Sequence, residues 1–345
     1  MKNTNFNYQK ICENLLKDLP QRTSDVIEKR FGLKTGKEET LEAIGQGYGI
    51  TRERVRQIGE EGFSKICPKI KEYKKVSQYF NNTLKSFGDL KKEETLLSFL
   101  GRENSQRQVS LLLTLDKDFV RVPEDKDFYS FWTRKREFVA LAKKVVDSTL
   151  NKFQVEKKPF LLKKLYELQK ANIEKILGKK ITKNTFSSYV EISKKIQKNP
   201  DNEFGLKNWL EINPRGIKDK AYLVLRKEGK PLHFAQITGY IEKLPFSFAR
   251  KPHLATVHNE LIKDSRFVLV GRGLYALREW GYEPGLVKDV IFKVLKEAKG
   301  SLSKGQILEK VSKQRLVKEN TILLNLQDRN KFLRDSEGRY KIKEA

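Results

Sequence analysis

From Thr40 to Ile58 the apolar residues Ile44, Tyr48, Ile50, Val55 and Ile58 fall where two short helices, packed crosswise over a tight turn, need an inner face. Gly45 sits where the two backbones would approach most closely, and Gly49 sits at the turn, where a positive φ costs a glycine least. Thr40 and Thr51 each stand before a helix start and offer a side-chain oxygen as a cap. Glu42 and Glu53 follow in first turns, where the helix dipole favours negative charge. The pattern predicts a helix-turn-helix. Gly47 is expected to interrupt its first helix, and Gly59 and Gly62 to weaken the tail after Ile58, because an interior glycine costs about 0.5–1 kcal/mol relative to alanine.

After about residue 75 a second pattern recurs. Thr256-Val257, Leu261, Phe267 and Tyr275 are matched in spacing by Thr321-Ile322, Leu326, Phe332 and Tyr340, and again by Thr185-Phe186, Val190, Ile196 and Phe204. A first, less regular copy runs through Val109, Leu113, Phe119 and Phe128. Each copy reads as helices, a short apolar strand, a turn and a second strand with an aromatic. Such a ribbon must pack on its helices, since a lone hairpin is marginal in water. The expected architecture is mainly α with small β wings: a helix-turn-helix domain over 1–75, then tandem winged-helix modules over 76–137, 138–214, 215–282 and 283–345.

Charge gives these elements a partner. The 345 residues hold 71 Lys+Arg against 44 Asp+Glu, a formal net charge of +27, and such a surface suits a polyanion. With Val55 and Ile58 turned inward, Arg52, Glu53, Arg56 and Gln57 share the outer face of the second helix. Arginine can bond the guanine edge, glutamine the adenine edge, and glutamate can accept from cytosine, so these four are the candidate base readers. Arg54 is expected to point elsewhere and to meet phosphate, with Thr40 and Thr51 as further backbone contacts. In the third module Arg272, between Gly271 and Gly273, is a candidate wing contact, and His258 and Asn259 are candidate helix contacts. Other turns carry Glu124 and Asp125, Asp201, or Asp335 and Glu337, which would repel DNA and suit packing or protein contacts.

Arg30-Phe-Gly-Leu33, Thr40-Leu41, Ile44-Gly45 and Ile50-Thr-Arg-Glu-Arg-Val-Arg-Gln-Ile58 resemble region four of the primary-type bacterial sigma factors, over roughly residues 15–68. The resemblance implies binding to double-stranded promoter DNA at the minus thirty-five element and to the beta flap of core RNA polymerase. Arg52, Glu53 and Gln57 would contact bases, and Arg54 and Arg56 would help at the backbone. No segment resembling sigma region two is evident, so an accessory role in initiation is expected rather than promoter melting. Gly229-Lys-Pro-Leu-His-Phe-Ala-Gln-Ile237, Thr256-Val-His-Asn-Glu-Leu261 and Phe267-Val-Leu-Val-Gly-Arg-Gly-Leu-Tyr-Ala-Leu277 resemble HARE-type modules, as in the polymerase delta subunit, with a looser likeness over 285–342.

The remaining chemistry is sparse. Three histidines, His233, His253 and His258, and two cysteines, Cys12 and Cys67, lie in no nucleophile or metal pattern, and no phosphate-binding loop occurs. Neither enzyme activity, metal, cofactor nor small-molecule substrate is expected. The polar start and the lack of a long apolar run predict a cytoplasmic, nucleoid-associated protein with no membrane partner. The alternatives are a basic DNA-binding scaffold of low sequence preference and the DNA-binding component of a restriction or defence system.

Overall fold

The computed structural model describes residues 6–246, 251–298 and 300–343, which divide into two compact units, Met1–Asn208 and Trp209–Ala345. The first unit opens with α1 (Tyr8–Leu16), α2 (Gln21–Phe31), α3 (Leu41–Tyr48) and α4 (Arg52–Ile66), followed by a 3-10 turn over Cys67–Tyr73. Thr40 Oγ1 accepts from the Ala43 N–H at 3.1 Å and Thr51 Oγ1 from Arg54 at 3.2 Å, so both predicted caps form. Gly49 takes a left-handed φ of 66° and ends α3. Val26, Ile44, Val55 and Ile58 form the small core beneath, flanked by half-buried Leu41, Tyr48 and Ile50.

The glycines divide by surroundings. A Cβ on Gly45 would stand 2.7 Å from the Ile50 carbonyl oxygen, and one on Gly62 would stand 2.7 Å from Thr23 Cγ2 and 2.8 Å from Ile27 Cδ1. These two let α3 meet the turn and α4 meet α2. Gly47 and Gly59 have open space around them, and neither breaks its helix: α3 runs through Gly47, and α4 continues to Ile66. The expected interruption at Gly47 is absent because an isolated glycine lowers helix stability without removing a hydrogen bond.

Four copies of one topology follow. The first comprises α5 (Lys74–Ser86), β1 (Leu90–Lys92), α6 (Glu93–Gly101), α7 (Gln106–Leu115), β2 (Val120–Val122) and β3 (Phe131–Thr133). The second comprises α8 (Glu137–Glu156), β4 (Phe160–Leu161), α9 (Leu162–Leu177), α10 (Lys183–Glu191), β5 (Ile196–Lys198) and β6 (Glu203–Leu206). In the second unit α11 (Gly216–Glu228), β7 (Leu232–His233), α12 (Phe234–Glu242), α13 (Leu254–Lys263), β8 (Phe267–Gly271) and β9 (Leu274–Leu277) make the third copy. The fourth has α14 (Val287–Glu297), α15 (Lys304–Gln314), α16 (Glu319–Leu326), β10 (Phe332–Arg334) and β11 (Tyr340–Ile342).

A short strand before the second helix, which the sequence pattern did not reveal, completes the antiparallel sheet of the first three copies, and an isolated bridge takes its place in the fourth. Lys91 pairs with Trp132, Phe160 with Phe204, Leu232 with Tyr275, and Leu302 bridges Tyr340; the next helix starts two residues later every time. This register identifies Trp132, not Phe128, as the terminal aromatic of the first copy. The segment between β2 and β3 is longer there, and its Phe128 instead bridges Ser193 of the second copy.

The division at residue 75 does not separate two cores. Tyr8, Cys12, Leu15, Leu16, Ile27, Ile66 and Ile70 share one cluster with Phe80, Leu84, Leu96, Leu111, Leu113 and Trp132. At its centre lies α7, seven of whose ten residues are buried and on which α1 and α2 pack. Gln108 Nε2 donates to the Leu33 carbonyl at 3.2 Å, and Arg107 Nε to that of Gly36 at 3.0 Å. The second unit begins at Trp209, ahead of α11, with Glu211 paired to Arg226.

Beside α7, Glu93 receives Arg121 through two bonds of 2.6 and 2.7 Å and the Trp132 indole N–H at 3.0 Å. Burial raises its carboxyl pKa, but these donors outweigh burial and leave it below the usual value. A carboxylate so depressed stabilises the fold above the unfolded-state pKa, and that contribution fades as pH falls through the folded one. Glu93→Gln should therefore destabilise the first unit by about 1 kcal/mol at neutral pH, Arg121 being half exposed, with a difference that shrinks below about pH 4. Urea titrations across pH test this, and a difference independent of pH would contradict it. In the same assay Gly45→Ala should destabilise by about 1–3 kcal/mol through overpacking, whereas Gly47→Ala should be neutral or stabilise by up to about 1 kcal/mol. Equal effects at the two glycines would refute the assignment of Gly45 to the close contact.

Candidate nucleic-acid interface

The exposed face of α4 carries Arg52, Glu53, Arg54, Arg56 and Gln57, all open to solvent, while Val55 and Ile58 point into the core. Helix spacing makes this inevitable once the two apolar residues are buried. The side chains are already organised. Arg56 grips Glu53 through Nε at 3.0 Å and Nη2 at 2.7 Å and also bonds Glu60. The Glu53 carboxyl is held below its usual pKa, chiefly by the bond from Arg56, so glutamate and arginine stay charged together.

Arg54 departs from the expected direction. Its Nη1 donates to Gln57 Oε1 at 3.1 Å and lies 3.8 Å from Glu61, so it shares the face with Gln57. The Gln57 side chain also bonds the Glu53 carboxylate, so its amide would exchange that bond for any other acceptor, while the Arg54 guanidinium keeps further donors for phosphate. Thr40 and Thr51 use their oxygens as acceptors in the caps, so each hydroxyl proton can still be given to a phosphate oxygen.

What holds α4 in place is α2. Tyr48 at the end of α3 donates its hydroxyl to Asp25, which also pairs with Lys29 at 2.9 Å. Lys29 Nζ and the Arg22 guanidinium lie 4.8 and 5.1 Å from the Tyr48 ring centre. Arg30 Nη1 reaches the Glu39 carbonyl at 3.1 Å and fixes the approach to α3.

The third helices of the four winged copies are unequal. α7 is enclosed as described. α10 buries Thr185, Phe186, Ser188, Tyr189 and Val190 and packs against β1, with the Tyr189 hydroxyl donating to the Gly88 carbonyl at 3.0 Å and Glu191 pairing with Lys91 at 2.7 Å. Gly88, at φ 87°, brings its backbone so near Thr185 that a Cβ would stand 2.3 Å from Cγ2. By contrast α13 buries only Val257 and Leu261, and α16 only Ile322 and Leu326. The third helices of the first two copies are therefore enclosed, whereas α13 and α16 keep exposed faces among the described residues.

In the third copy Arg272 is exposed at the wing tip and Asn259 on α13. His258 is not presented in the same way: its ring lies 4.5 Å from that of Phe234 and 5.8 Å from that of Tyr275, so packing takes up the face that base contact would need. Of the acidic turns, one reaches a neighbouring copy and two are closed by their own carboxylates. Glu124 pairs with Lys194 at 2.5 Å, while Asp125 and Asp335 bond backbone N–H groups of their own turns. Among the described residues no cluster of metal-ligating side chains occurs, and no helix is long and apolar enough to cross a membrane.

Residues 15–66 match the family Sigma-70, region 4, and residues 215–280 match the HARE-HTH family, the helix-turn-helix domain described for ASXL and restriction endonuclease proteins. The RNA polymerase sigma factor SigA of Microcystis aeruginosa is 46% identical over 54 residues, and SigA of a Synechocystis strain is likewise 46% identical over 54; each alignment takes in 16% of this chain and 13% of the relative. The RNA polymerase principal sigma factor HrdD of Streptomyces viridifaciens is 46% identical over 46 residues, 13% of this chain and 14% of its own. The chain thus spans about one seventh of the length of these relatives, and the region 4 match over residues 15–66 takes in the helices that carry the Arg52 to Gln57 face. The first unit thus carries a stretch similar to sigma-70 region 4 and the second a stretch similar to the HARE helix-turn-helix domain, and both likenesses support a DNA-binding, transcription-related chain.

Proposed function

We propose that this protein acts at transcription initiation by placing α4 in the major groove of promoter DNA, in company with RNA polymerase. The observation that carries this reading is the solvent-facing set Arg52, Glu53, Arg56 and Gln57 on a helix capped by Thr51 and braced through Tyr48 and Asp25. In contact with DNA, Arg56 exchanges part of its bond to Glu53 for a base edge or phosphate, and the Gln57 amide donates toward a base while Arg54 holds its oxygen. The relatives being sigma factors of RNA polymerase supports polymerase as the partner. The winged copies supply further contacts, with α13 and α16 free to make them.

Under this reading Gln57→Ala relaxes sequence choice at one base pair by about 1–3 kcal/mol, leaving the other positions intact. Binding-site selection with wild type and variant measures it; unchanged base preference would favour a scaffold of low specificity. The protein is also expected to join a promoter complex without opening DNA by itself. Core polymerase with this protein alone should give no open complex by permanganate reactivity, and efficient opening would refute the accessory role.

A further inference from the structure

The second winged copy is the most basic part of the chain. Residues 138–208 hold 16 lysines, no arginine and 7 acidic residues, whereas 76–137 hold 11 basic and 10 acidic residues. The lysines are not distributed evenly. Those facing the first copy are neutralised by its carboxylates: Lys179 pairs with Asp89, Lys194 with Glu124 and Lys195 with Asp127. At the end of α8 and the start of α9, Lys157, Lys158, Lys163 and Lys164 are exposed and enter no ion pair among the described residues.

These four lie around one short sheet. Lys158 Nζ stands 5.6 Å from the ring centre of Phe160 on β4, and Phe160 pairs with Phe204, which pairs in turn with exposed Lys198 on β5. Of the carboxylates nearby, Glu156 is bonded by Lys152 at 2.9 Å and lies below its usual pKa because of that bond, with Lys158 and Lys164 adding to the effect. Glu203 on β6 accepts from Asn199 at 3.0 Å, and Glu167 follows one turn along α9, fewer charges than the five lysines carry. Positive charge is left in excess on this side.

We propose that Lys157, Lys158, Lys163 and Lys164, with Lys198, form a second DNA site that grips the phosphate backbone of duplex flanking the sequence read by α4. It is a winged helix used by its α8–β4–α9 edge, because its third helix is enclosed against the first copy. Lysine without arginine suits this role: a point charge on a flexible stem neutralises phosphate without the fork geometry that reads a guanine edge. The inference rests on the DNA-binding reading above, and it assigns to this edge affinity but no sequence choice.

The test is the full-length chain carrying Lys157→Gln, Lys158→Gln, Lys163→Gln and Lys164→Gln, beside a control with Lys10→Gln, Lys17→Gln, Lys85→Gln and Lys126→Gln. Affinity for duplex DNA is measured by anisotropy over a salt series, after circular dichroism shows that both variants melt as wild type does. Each lost phosphate contact should lower the slope of log K against log salt by about 0.9, so the edge variant should lose about 3 to 4 and the control far less. Base preference in site selection should stay that of wild type. Equal slopes for edge variant and wild type, or an equal loss in the control, would overturn the proposal, as would preferential binding of single-stranded RNA by the same edge. Failure of the α4 reading appears separately, as a Gln57→Ala variant with unchanged base preference while the edge variant still loses slope.

Discussion

Burial of α7 governs the first unit. A third helix of a winged fold usually has one face on its own core and one in solvent; here the second face is covered by α1 and α2, and the positions that in α13 are exposed Asn259 and Lys263 are Leu111 and Leu115, at 1% exposure or less. Burying such side chains removes apolar surface from water at roughly 25 cal/mol per Å2, so this contact is a large share of what keeps α1 and α2 in place. From it follow the shared core, the fixed base beneath α4, and the loss of the first copy as a groove binder. The second copy repeats the arrangement with α10 against β1, through Tyr189, Glu191 and the close approach of Gly88 to Thr185.

The two units therefore use one topology differently. In the first, wings and third helices are joining surfaces, and the Glu124 and Asp125 turn serves that purpose through Lys194. In the second, α13 and α16 keep open faces. Between the third and fourth copies the joint is made instead by Arg315, whose Nη1 donates to the Leu269 carbonyl at 2.8 Å and that of Glu283 at 3.3 Å, beside the Leu316 N–H bonded to Val270 at 3.2 Å. Desolvation lowers the pKa of this buried guanidinium, and breaking its carbonyl bonds would leave a buried charge without compensation.

Much of the helix-turn-helix could be read from the chain because its determinants are local. A cap needs a hydroxyl three residues before an N–H, and a close contact or left-handed turn needs a missing Cβ, so Thr40, Thr51, Gly45 and Gly49 announce themselves. Gly47 and Gly45 look alike in sequence, and only the Ile50 carbonyl separates them. The aromatic spacing located three of the four sheets, but the longer segment after Val122 hid Trp132 behind Phe128. The direction of Arg54 depended on which partner its long stem found, and His258 on a ring stack contributed by α12 and β9. A signal for the enclosed helix was present: Val109-Ser-Leu-Leu-Leu-Thr-Leu115 carries apolar residues around most of the helix, as one with little solvent face must, and of these seven residues only Thr114 is exposed. What covers it comes from residues about a hundred positions earlier, as Cys12 does for Gln108.

The placement of Trp132 in the same cluster as Tyr8 and Cys12 bears on the order in which the protein matures. During synthesis α2, α3 and α4 emerge with their own small core, but the surface of α1 and the end of α4 must wait. Until the chain has passed α7, Leu15, Ile66 and Ile70 lack much of the cluster that shields them from water, and Trp132 completes it. The helix that presents the Arg52 to Gln57 face is thus made well before its support is complete, and a chain halted before β3 would carry that face without the full base beneath it.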